Sequence, residues 1–518
     1  MVVFGFKEET TLKICFYEGY IRNQKQLCRQ LGISGAASRE ETERQILLAA
    51  YNRWGYDIVR HFTGAFAFAL WDEEKEEMLC ARDPFGIQTF YYHLARNGAL
   101  VCSGNIGDIA GHKGFQKEID RQALQYYLMF GYPVGEKTLY KGVFKLLPGR
   151  TLLYRRGQCR IERYFTPVFE SDAGVSEQEW VERIRQTLQS ILEEDKGNFD
   201  FSGARCFLSG GVDSSYLLAA SEIKNAGNIS FGGEAASEYA LAQETADYLG
   251  VNLEKINLCA KDFFEAISTF LKNVELPLAD PSAVAFAAGC QRTVGQTTCC
   301  LSGEGADEFF AGYHIYRRAD ALAEVPYCGC FGVLEETTAC RLLKQNEGFP
   351  TKDLVKDIEE QRITDNLNRM LATDIAMWLE GDILLNVGRN TRACGIDLLL
   401  PFADKRLFEL SAQIPSALKL KDGCGKYIFR KAAQAVLPEE VAWRAKAGFP
   451  VPLKKWMARE PFRSQIEKTL CSETAVQFFD TRLLQKFWHN YLAGNEPLYQ
   501  IIYTAYLFLR WYEEIFNA

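Results

Sequence analysis

The 518-residue chain is short of what several large protein classes require. Its five histidines are too few for a histidine-rich metal centre. No apolar stretch approaches the ~18 residues that cross a bilayer. The opening Met1-Val2-Val3-Phe4-Gly5-Phe6-Lys7-Glu8 has neither a charged leader nor a long apolar run, so no signal peptide is expected. A net charge of -8 without a basic stripe argues against nucleic-acid binding. The sixteen cysteines are numerous but lack zinc spacing. The close pairs Cys299-Cys300 and Cys328-Gly329-Cys330 have no partner pair or histidine cluster, and Cys15, Cys80, Cys102 and Cys206 sit in apolar runs, where a thiol behaves as a small hydrophobe. These gaps predict a reducing, cytoplasmic setting, no structural metal and no membrane. Internal repeats and low-complexity tracts are absent too. With 47% hydrophobic and 24% charged residues, the chain has the composition of a globular protein, and its length suggests two or three domains.

Two glycine-rich acidic signatures stand out. The first, Ser209-Gly210-Gly211-Val212-Asp213-Ser214-Ser215, follows the apolar Cys206-Phe207-Leu208. The second, Leu301-Ser302-Gly303-Glu304-Gly305-Ala306-Asp307-Glu308, follows Thr298-Cys299-Cys300. Each reads as a buried strand, a glycine turn and a helix, a geometry that brings backbone N–H groups and a helix N-terminus to phosphate oxygens. Each places one carboxylate, Asp213 or Asp307, where it could hold magnesium against a polyphosphate. A lone Gly-Gly turn is usually only a turn. Here hydroxyls and acids recur at set spacing in two places, which points to nucleotide chemistry. No lysine follows the glycines as in a Walker loop, and Gly-x-Gly-x-x-Gly spacing is missing.

Residues 1 to about 165 read as mostly β, with strands expected at 63–72, 77–83, 89–93, 99–102, 151–154 and 160–164 and helices at 40–54 and 120–130. From about Ser176 long helices alternate with short apolar strands: helix 177–194, strand 205–208, helix 214–226, strand 229–232 and helix 238–249. That alternation predicts a parallel sheet with crossover helices. Beyond Glu304 the chain reads as almost wholly helical.

The first signature resembles the pyrophosphate loop (PP-loop) of N-type ATP pyrophosphatases. The order of motifs resembles asparagine synthetase of the glutamine-hydrolysing type over nearly the whole chain. The match runs through Asp280-Pro281-Ser282-Ala283, Phe310-Ala311-Gly312-Tyr313, Pro401-Phe402-Ala403-Asp404, Gly425-Lys426-Tyr427-Ile428-Phe429-Arg430-Lys431-Ala432, Leu437-Pro438-Glu439 and Lys446-Ala447-Gly448-Phe449-Pro450-Val451-Pro452. The N-terminal part is similar to a class II glutamine amidotransferase through Gly64-Ala65-Phe66-Ala67-Phe68, Ala81-Arg82-Asp83-Pro84-Phe85-Gly86 and Tyr91-Tyr92. The resemblance implies an α/β protein: a truncated Ntn-hydrolase-like αββα domain at 1–165, then at 176–518 a doubly wound parallel-sheet PP-loop domain of the adenine nucleotide α-hydrolase type with a helical C-terminal half.

It further implies that a carboxylate, aspartate in the family, attacks the α-phosphate of ATP to give an acyl-adenylate, which ammonia converts to an amide. Ser209, Gly210, Gly211, Asp213, Ser214 and Ser215 would cradle pyrophosphate, with Asp213 and Asp307 on Mg²⁺. Leu208, Ser302, Gly303 and Phe231 would meet the adenosine. Lys426 would stabilise developing charge, and Glu304 would take the proton from the attacking nitrogen. β-Lactam-forming relatives carry Tyr at the position of Glu304, so Glu304 favours an amine or ammonia acceptor. Expected partners are ATP, aspartate or another carboxylate, ammonia and, conditionally, glutamine, with a homodimer left open.

The chain also departs from the family. The family's N-terminal nucleophilic Cys is not at position 2, which is Val2, and about 50 family residues including an Arg-Gly-Pro-Asp turn have no counterpart. The glutamine-binding Asn-Gly-Glu is Glu18-Gly19-Tyr20, and Glu41 stands for an Asp. Glutamine hydrolysis is therefore not expected. Before Pro401, a family Lys, Asp and Glu-x-Arg pair are replaced by Asn386, Gly388 and Asp397 with Leu399. The usual Asp-Glu-Pro is Glu275-Leu276-Pro277. Loss of an Arg removes the usual bidentate partner of a substrate carboxylate. Three readings result: ligation of aspartate, ligation of another carboxylate, or a non-catalytic ATP-binding relative.

Overall fold

The computed structural model describes residues 12–34, 38–232, 238–322, 327–345, 348–359, 361, 363–446 and 448–517. In the N-terminal part, strands β1 (Leu12–Ile21), β2 (Gly64–Asp72), β3 (Glu77–Arg82), β7 (Arg150–Arg155) and β8 (Gln158–Arg163) form an antiparallel sheet in the order β1-β2-β3-β7-β8. Strands β4 (Tyr91–Leu94), β5 (Leu100–Ser103) and β6 (Phe144–Lys145) make a second sheet. The alternation along β2 explains the layering. Phe66, Phe68 and Leu70 pack with Leu27, Ile46, Leu47 and Ala50 of the helices Gln24–Leu31 and Arg39–Trp54. Ala67 and Ala69 point the other way, to Phe90, Tyr92 and Leu146. Small residues face sheet and large ones face helix, which yields the expected helix–sheet–sheet stack. The helix Arg121–Phe130 supplies the last layer, and its Leu124, Tyr127 and Leu128 share a core with Phe263, Phe270, Tyr503 and Phe508.

The second part is built on a parallel sheet of β9 (Arg205–Phe207), β10 (Asn225–Ser230), β11 (Asn252–Asn257), β12 (Cys299–Leu301) and β13 (Asp397–Leu399), in the order β11-β10-β9-β12-β13. The chain moves outward in one direction from β9 through β10 to β11 and then in the other from β12 to β13. The doubly wound order therefore switches between β9 and β12, and both glycine signatures leave the carboxyl ends of these two adjacent strands. Open α/β sheets bind ligands at such a switch point.

Two sequence expectations are corrected here. The helix after β9 spans Val212–Ser221 and stops at Glu222, whose left-handed φ of 62° ends it, so the next strand starts at Asn225 instead of residue 229. Among the described residues beyond Glu304 the regular structure is helical except for β13 and two two-residue strands, with irregular segments between; β13, only three residues long, closes the sheet. Length was the obstacle, since a three-residue strand leaves no period to read. All sixteen cysteines are free thiols, and among the described residues no helix is long and apolar enough to cross a membrane.

Buried ion pairs join the two parts. Arg22, on the segment after β1, reaches Asp195 at 2.7 Å, also pairs with Asp404, and donates to the Tyr20 hydroxyl at 2.9 Å. Arg82 pairs with Glu380 at 2.8 Å, and Lys145 meets the same carboxylate at 2.6 Å. Glu380 lies on the π-helical segment Ile375–Leu384, two residues before Asp382. Asp83, beside Arg82, accepts hydrogen bonds from the N–H groups of Phe85, Gly86, Ile87 and Gln88, which folds the quoted motif into a tight anionic turn.

Candidate active site

A cavity of about 420 Å³ opens at the switch point. Leu208, Ser209, Gly210, Gly211, Asp213 and Ser214 line it from the first signature, and Ser302, Gly303, Glu304 and Asp307 from the second. The first turn is tied internally. The N–H of Gly211 donates to Ser209 Oγ at 3.3 Å, and the Ser209 and Ser214 hydroxyls lie 3.1 Å apart. Gly210 has a φ of 82°, and a Cβ there would stand 2.8 Å from the N atom of Ala242, so only glycine fits. Arg444 clamps the same turn from outside, donating to the Gly210 carbonyl at 2.7 Å and the Leu241 carbonyl at 3.1 Å.

Lys426 joins the two signatures. Its Nζ lies 2.6 Å from Asp213 Oδ1 and 2.8 Å from Asp307 Oδ1, and the residue is 2% exposed. The backbone of Lys426 is left-handed at φ 58°, an uncommon state for a non-glycine residue and typical of strain kept at functional sites. Gly312 makes room for this contact, because a Cβ there would collide with Asp307 Oδ1 and Lys426 Cε. Lys446 approaches from the C-terminal segment, 2.7 Å from Asp307 Oδ2. Burial acts to raise the pKa of Asp307, but Lys426 and Lys446 overcome it and hold the carboxyl well below the usual carboxylate range. Burial likewise works against the charge on Lys446, yet Asp307 and Asp213 lift its pKa to about 12. The result is a cluster of two carboxyls and two lysines in which Asp307 is held as a carboxylate and Lys446 as an ammonium.

The remaining acids behave differently. Glu304 is pushed up by burial, opposed by the Ser302 hydroxyl that donates to it at 3.2 Å and reinforced by Asp307. Glu308 is pushed up to about 8, by burial and then by Asp307. Asp280 caps the helix Pro281–Arg292 through the Ser282 N–H at 2.9 Å. Asp382 is 1% exposed. Burial, then neighbouring Asp280, drives its pKa far above the carboxylate range.

Two expected residues stand outside the wall. Ser215 is fully buried in the helix Val212–Ser221, behind the turn instead of on it. Phe231 is buried and packs edge-on against Phe449 and Trp456, and the cavity meets Phe449 in its place. Both face inward because the elements that carry them place the next residue of the period in the core. Lys446, Arg444, Asp280, Asp382 and Trp378 were not assigned roles from the sequence, though all five line the cavity. A signal existed for Asp382: with Glu380 it interrupts the otherwise apolar run Trp378-Leu379-Glu380-Gly381-Asp382-Ile383-Leu384, and acids in a buried helix need a partner.

The donor set suits a magnesium ion. Asp213 and Asp307 converge on one point, now held by Lys426 Nζ, and offer hard carboxylate oxygens beside the glycine turns. Among the described residues no group of three His, Cys, Asp or Glu forms a metal cage. One or two carboxylates completed by substrate phosphates is the usual pattern for Mg²⁺, so these residues fit it.

Comparison with known proteins gives the family. The asparagine synthase model matches residues 204–513, which include both signatures, Lys426 and Lys446. The chain belongs to the asparagine synthase family. A glutamine amidotransferase domain model matches residues 6–165. Among curated relatives, asparagine synthetase [glutamine-hydrolyzing] 1 of Bacillus subtilis is 29% identical, over 98% of this chain and 86% of the relative. The asparagine synthetase [glutamine-hydrolyzing] 3 of the same organism is 25% identical over 84% and 75% of the two chains. The amidase chyE of Penicillium rubens is 23% identical over 88% and 79%. A solved Bacillus subtilis glutamine phosphoribosylpyrophosphate amidotransferase overlaps 49% of this chain and 48% of its own at 15% identity, and its TM-score of 0.22 carries no argument.

Proposed function

We propose that this family member is an ATP-dependent ligase that adenylates a carboxylate and passes the acyl group to ammonia or an amine, releasing AMP and pyrophosphate. The observation that carries this reading is Lys426 suspended between Asp213 and Asp307 where two glycine turns meet at the switch point. A carboxylate is a poor acyl donor, so its oxygen must first be joined to the α-phosphorus with pyrophosphate leaving. The turn Ser209–Ser214 presents N–H and hydroxyl groups to the departing pyrophosphate. Asp213 and Asp307 would hold Mg²⁺, which supplies charge neutralisation on the phosphates when bound. Lys426, already buried and already fixed between two carboxyls, stabilises negative charge as it grows at phosphorus and then at the acyl carbon. Glu304, raised by burial, accepts the proton from the attacking nitrogen.

A specific observation favours a carboxylate other than aspartate. Leu399 is wholly buried in the core where the resemblance expects Arg, and Asn386 stands in the cavity wall where it expects Lys. The deciding experiment is carboxylate-dependent ATP–pyrophosphate exchange. Exchange with an acid supports adenylation, and loss of exchange in Asp307→Asn ties it to this site. ATP binding with no exchange on any acid would make the chain a non-catalytic binder.

A further inference from the structure

The cavity is divided electrostatically. Its cations are Lys426, Lys446, Arg430 and Arg444 among the described lining residues. All four are committed near the phosphate turns. The lysines hold Asp213 and Asp307. Arg430 donates to the carbonyls of Gly425, Ala442 and Arg444. Arg444 holds the carbonyls of Gly210 and Leu241 and the carboxylate of Glu244.

The section lined by Trp378, Asp382, Ile383, Asn386 and Asp280 has the opposite character. Neither oxygen of buried Asp382 accepts from an N–H or hydroxyl among the described residues; it faces another carboxyl, Asp280, and shares a proton with it. Asp280 is already used by the N–H and hydroxyl of Ser282. Asn386 brings no charge, and its side-chain oxygen accepts from Asn390 at 2.9 Å. Arg389, the nearest arginine in sequence, turns away to Asn105 and the Asn273 carbonyl. Two buried carboxyls sharing one proton have acceptor oxygens to spare, and an ammonium that takes the proton's place donates to both. A second substrate carboxylate at this place would meet two carboxyls and Glu304, with no cation to receive it.

Resting on the adenylation reading above, we infer that the acid this enzyme activates is an amino monocarboxylic acid, its ammonium seated on Asp382 and Asp280 and its only carboxylate directed at ATP. The ammonium donates to the oxygens of Asp382, while Trp378 and Ile383 flank the carbon chain. The substrate thus differs from aspartate by lacking the second carboxylate, and from a simple fatty acid by carrying the amine.

The test is ATP–pyrophosphate exchange by the full chain with ATP and Mg²⁺. The acids are glycine, β-alanine and 4-aminobutyrate of graded reach, aspartate and glutamate as dicarboxylates, and propionate and butyrate as amine-free counterparts. At least one amino monocarboxylate is expected to exceed both dicarboxylates and its amine-free counterpart by about 10-fold or more in kcat/KM, the scale of one hydrogen bond to a charged group. Asp382→Asn should shrink the amine preference by a similar factor, and Asp382→Glu should restore part of it. Preference for aspartate or glutamate, or indifference to the amine, overturns the inference using the unmodified protein alone, whatever the variants do. If no acid supports exchange, the adenylation reading fails. Calorimetry of the ATP-loaded protein then decides the pocket separately. Binding of the amino monocarboxylates over aspartate upholds the cationic site, and binding of aspartate alone, or of neither, removes it.

Discussion

Replacing Lys426 by Ala gives the sharpest view of the proposed chemistry. A unit charge about 4 Å away interacts with about 4 kcal/mol at an effective dielectric constant near 20. Only the charge that grows between bound substrates and transition state affects the rate, so roughly half to two-thirds of that, about 2–3 kcal/mol, is at stake. Removing a donor aimed at a developing oxyanion costs a similar amount, about 10²- to 10³-fold in rate. Pyrophosphate exchange should therefore fall by about 30- to 10³-fold, the range the two figures span, while the Kd of ATP changes by only about threefold, because ground-state binding rests on the turn Ser209–Ser214. The fold should persist. Ala inherits the same left-handed φ, Asp307 keeps Lys446, and the side chains of Asp213 and Asp307 are 21% and 15% exposed, so both are rehydrated when the lysine goes. The assay is isotope exchange alongside calorimetric ATP binding and a thermal melt. A loss confined to ATP affinity, or exchange within tenfold of the parent with the melt unchanged, would refute the role given to Lys426.

Other outcomes follow from the same geometry. Glu304→Gln should leave pyrophosphate exchange in place while amide formation drops by about 10²–10⁴. Because a base works only when deprotonated and burial raises the pKa of Glu304, amide formation measured at a fixed concentration of free NH₃ should keep an acid limb above the ordinary Glu value of about 4.3 that vanishes in this variant; persistence of that limb would assign it elsewhere. Arg22→Ala strips the counter-charge from wholly buried Asp195, while Asp404 keeps Arg406, and should lower the first denaturant transition by about 3–5 kcal/mol; a shift under about 1 kcal/mol, the scale of a surface pair, would show that the pair is not structural. Amide formation should run on ammonium and rise with pH, with glutamine inert, since the expected glutamine-binding turn is here the end of strand β1, where Tyr20 is engaged by Arg22 and Glu18 by Arg392; glutamate release from glutamine would overturn this.

The two signatures were legible because their chemistry is local. Strand, glycine turn, acid and helix are consecutive, so Ser209 to Ser214 and Ser302 to Asp307 could be placed without tertiary knowledge. Lys426 was reached only through the resemblance, as its meaning depends on carboxylates more than a hundred residues away. Ser215 and Phe231 show the limit of carrying a whole motif over: a helix alternates wall and core within one turn, and a strand does so at each residue. Lys446 was read as part of a motif with no partner in view, and its contact with Asp307 exists only after the C-terminal segment folds back. Asp382 was hidden in a helix whose apolar run reads as core, although two acids in that run mark a buried charge network. In the N-terminal part the aromatic alternation of β2 was visible, but its division into Phe-facing-helix and Ala-facing-sheet needs both neighbours.

Arg82 changes how the surviving amidotransferase motif should be interpreted. Its guanidinium also donates to the carbonyls of Leu146 and Gly86, and with Lys145 it holds Glu380 on the same helix that offers Asp382 to the cavity. The motif Ala81-Arg82-Asp83-Pro84-Phe85-Gly86 is thus a strut of the ligase pocket, whatever becomes of glutamine. Its presence is no witness to glutaminase activity, since a lineage that abandoned that reaction would still be obliged to keep it. Dissecting the ligase half away would leave Glu380 and Asp195 without their cations, while Asp404 keeps Arg406, and an engineer seeking a smaller ammonia-using ligase must first supply counter-ions for those two acids or replace them.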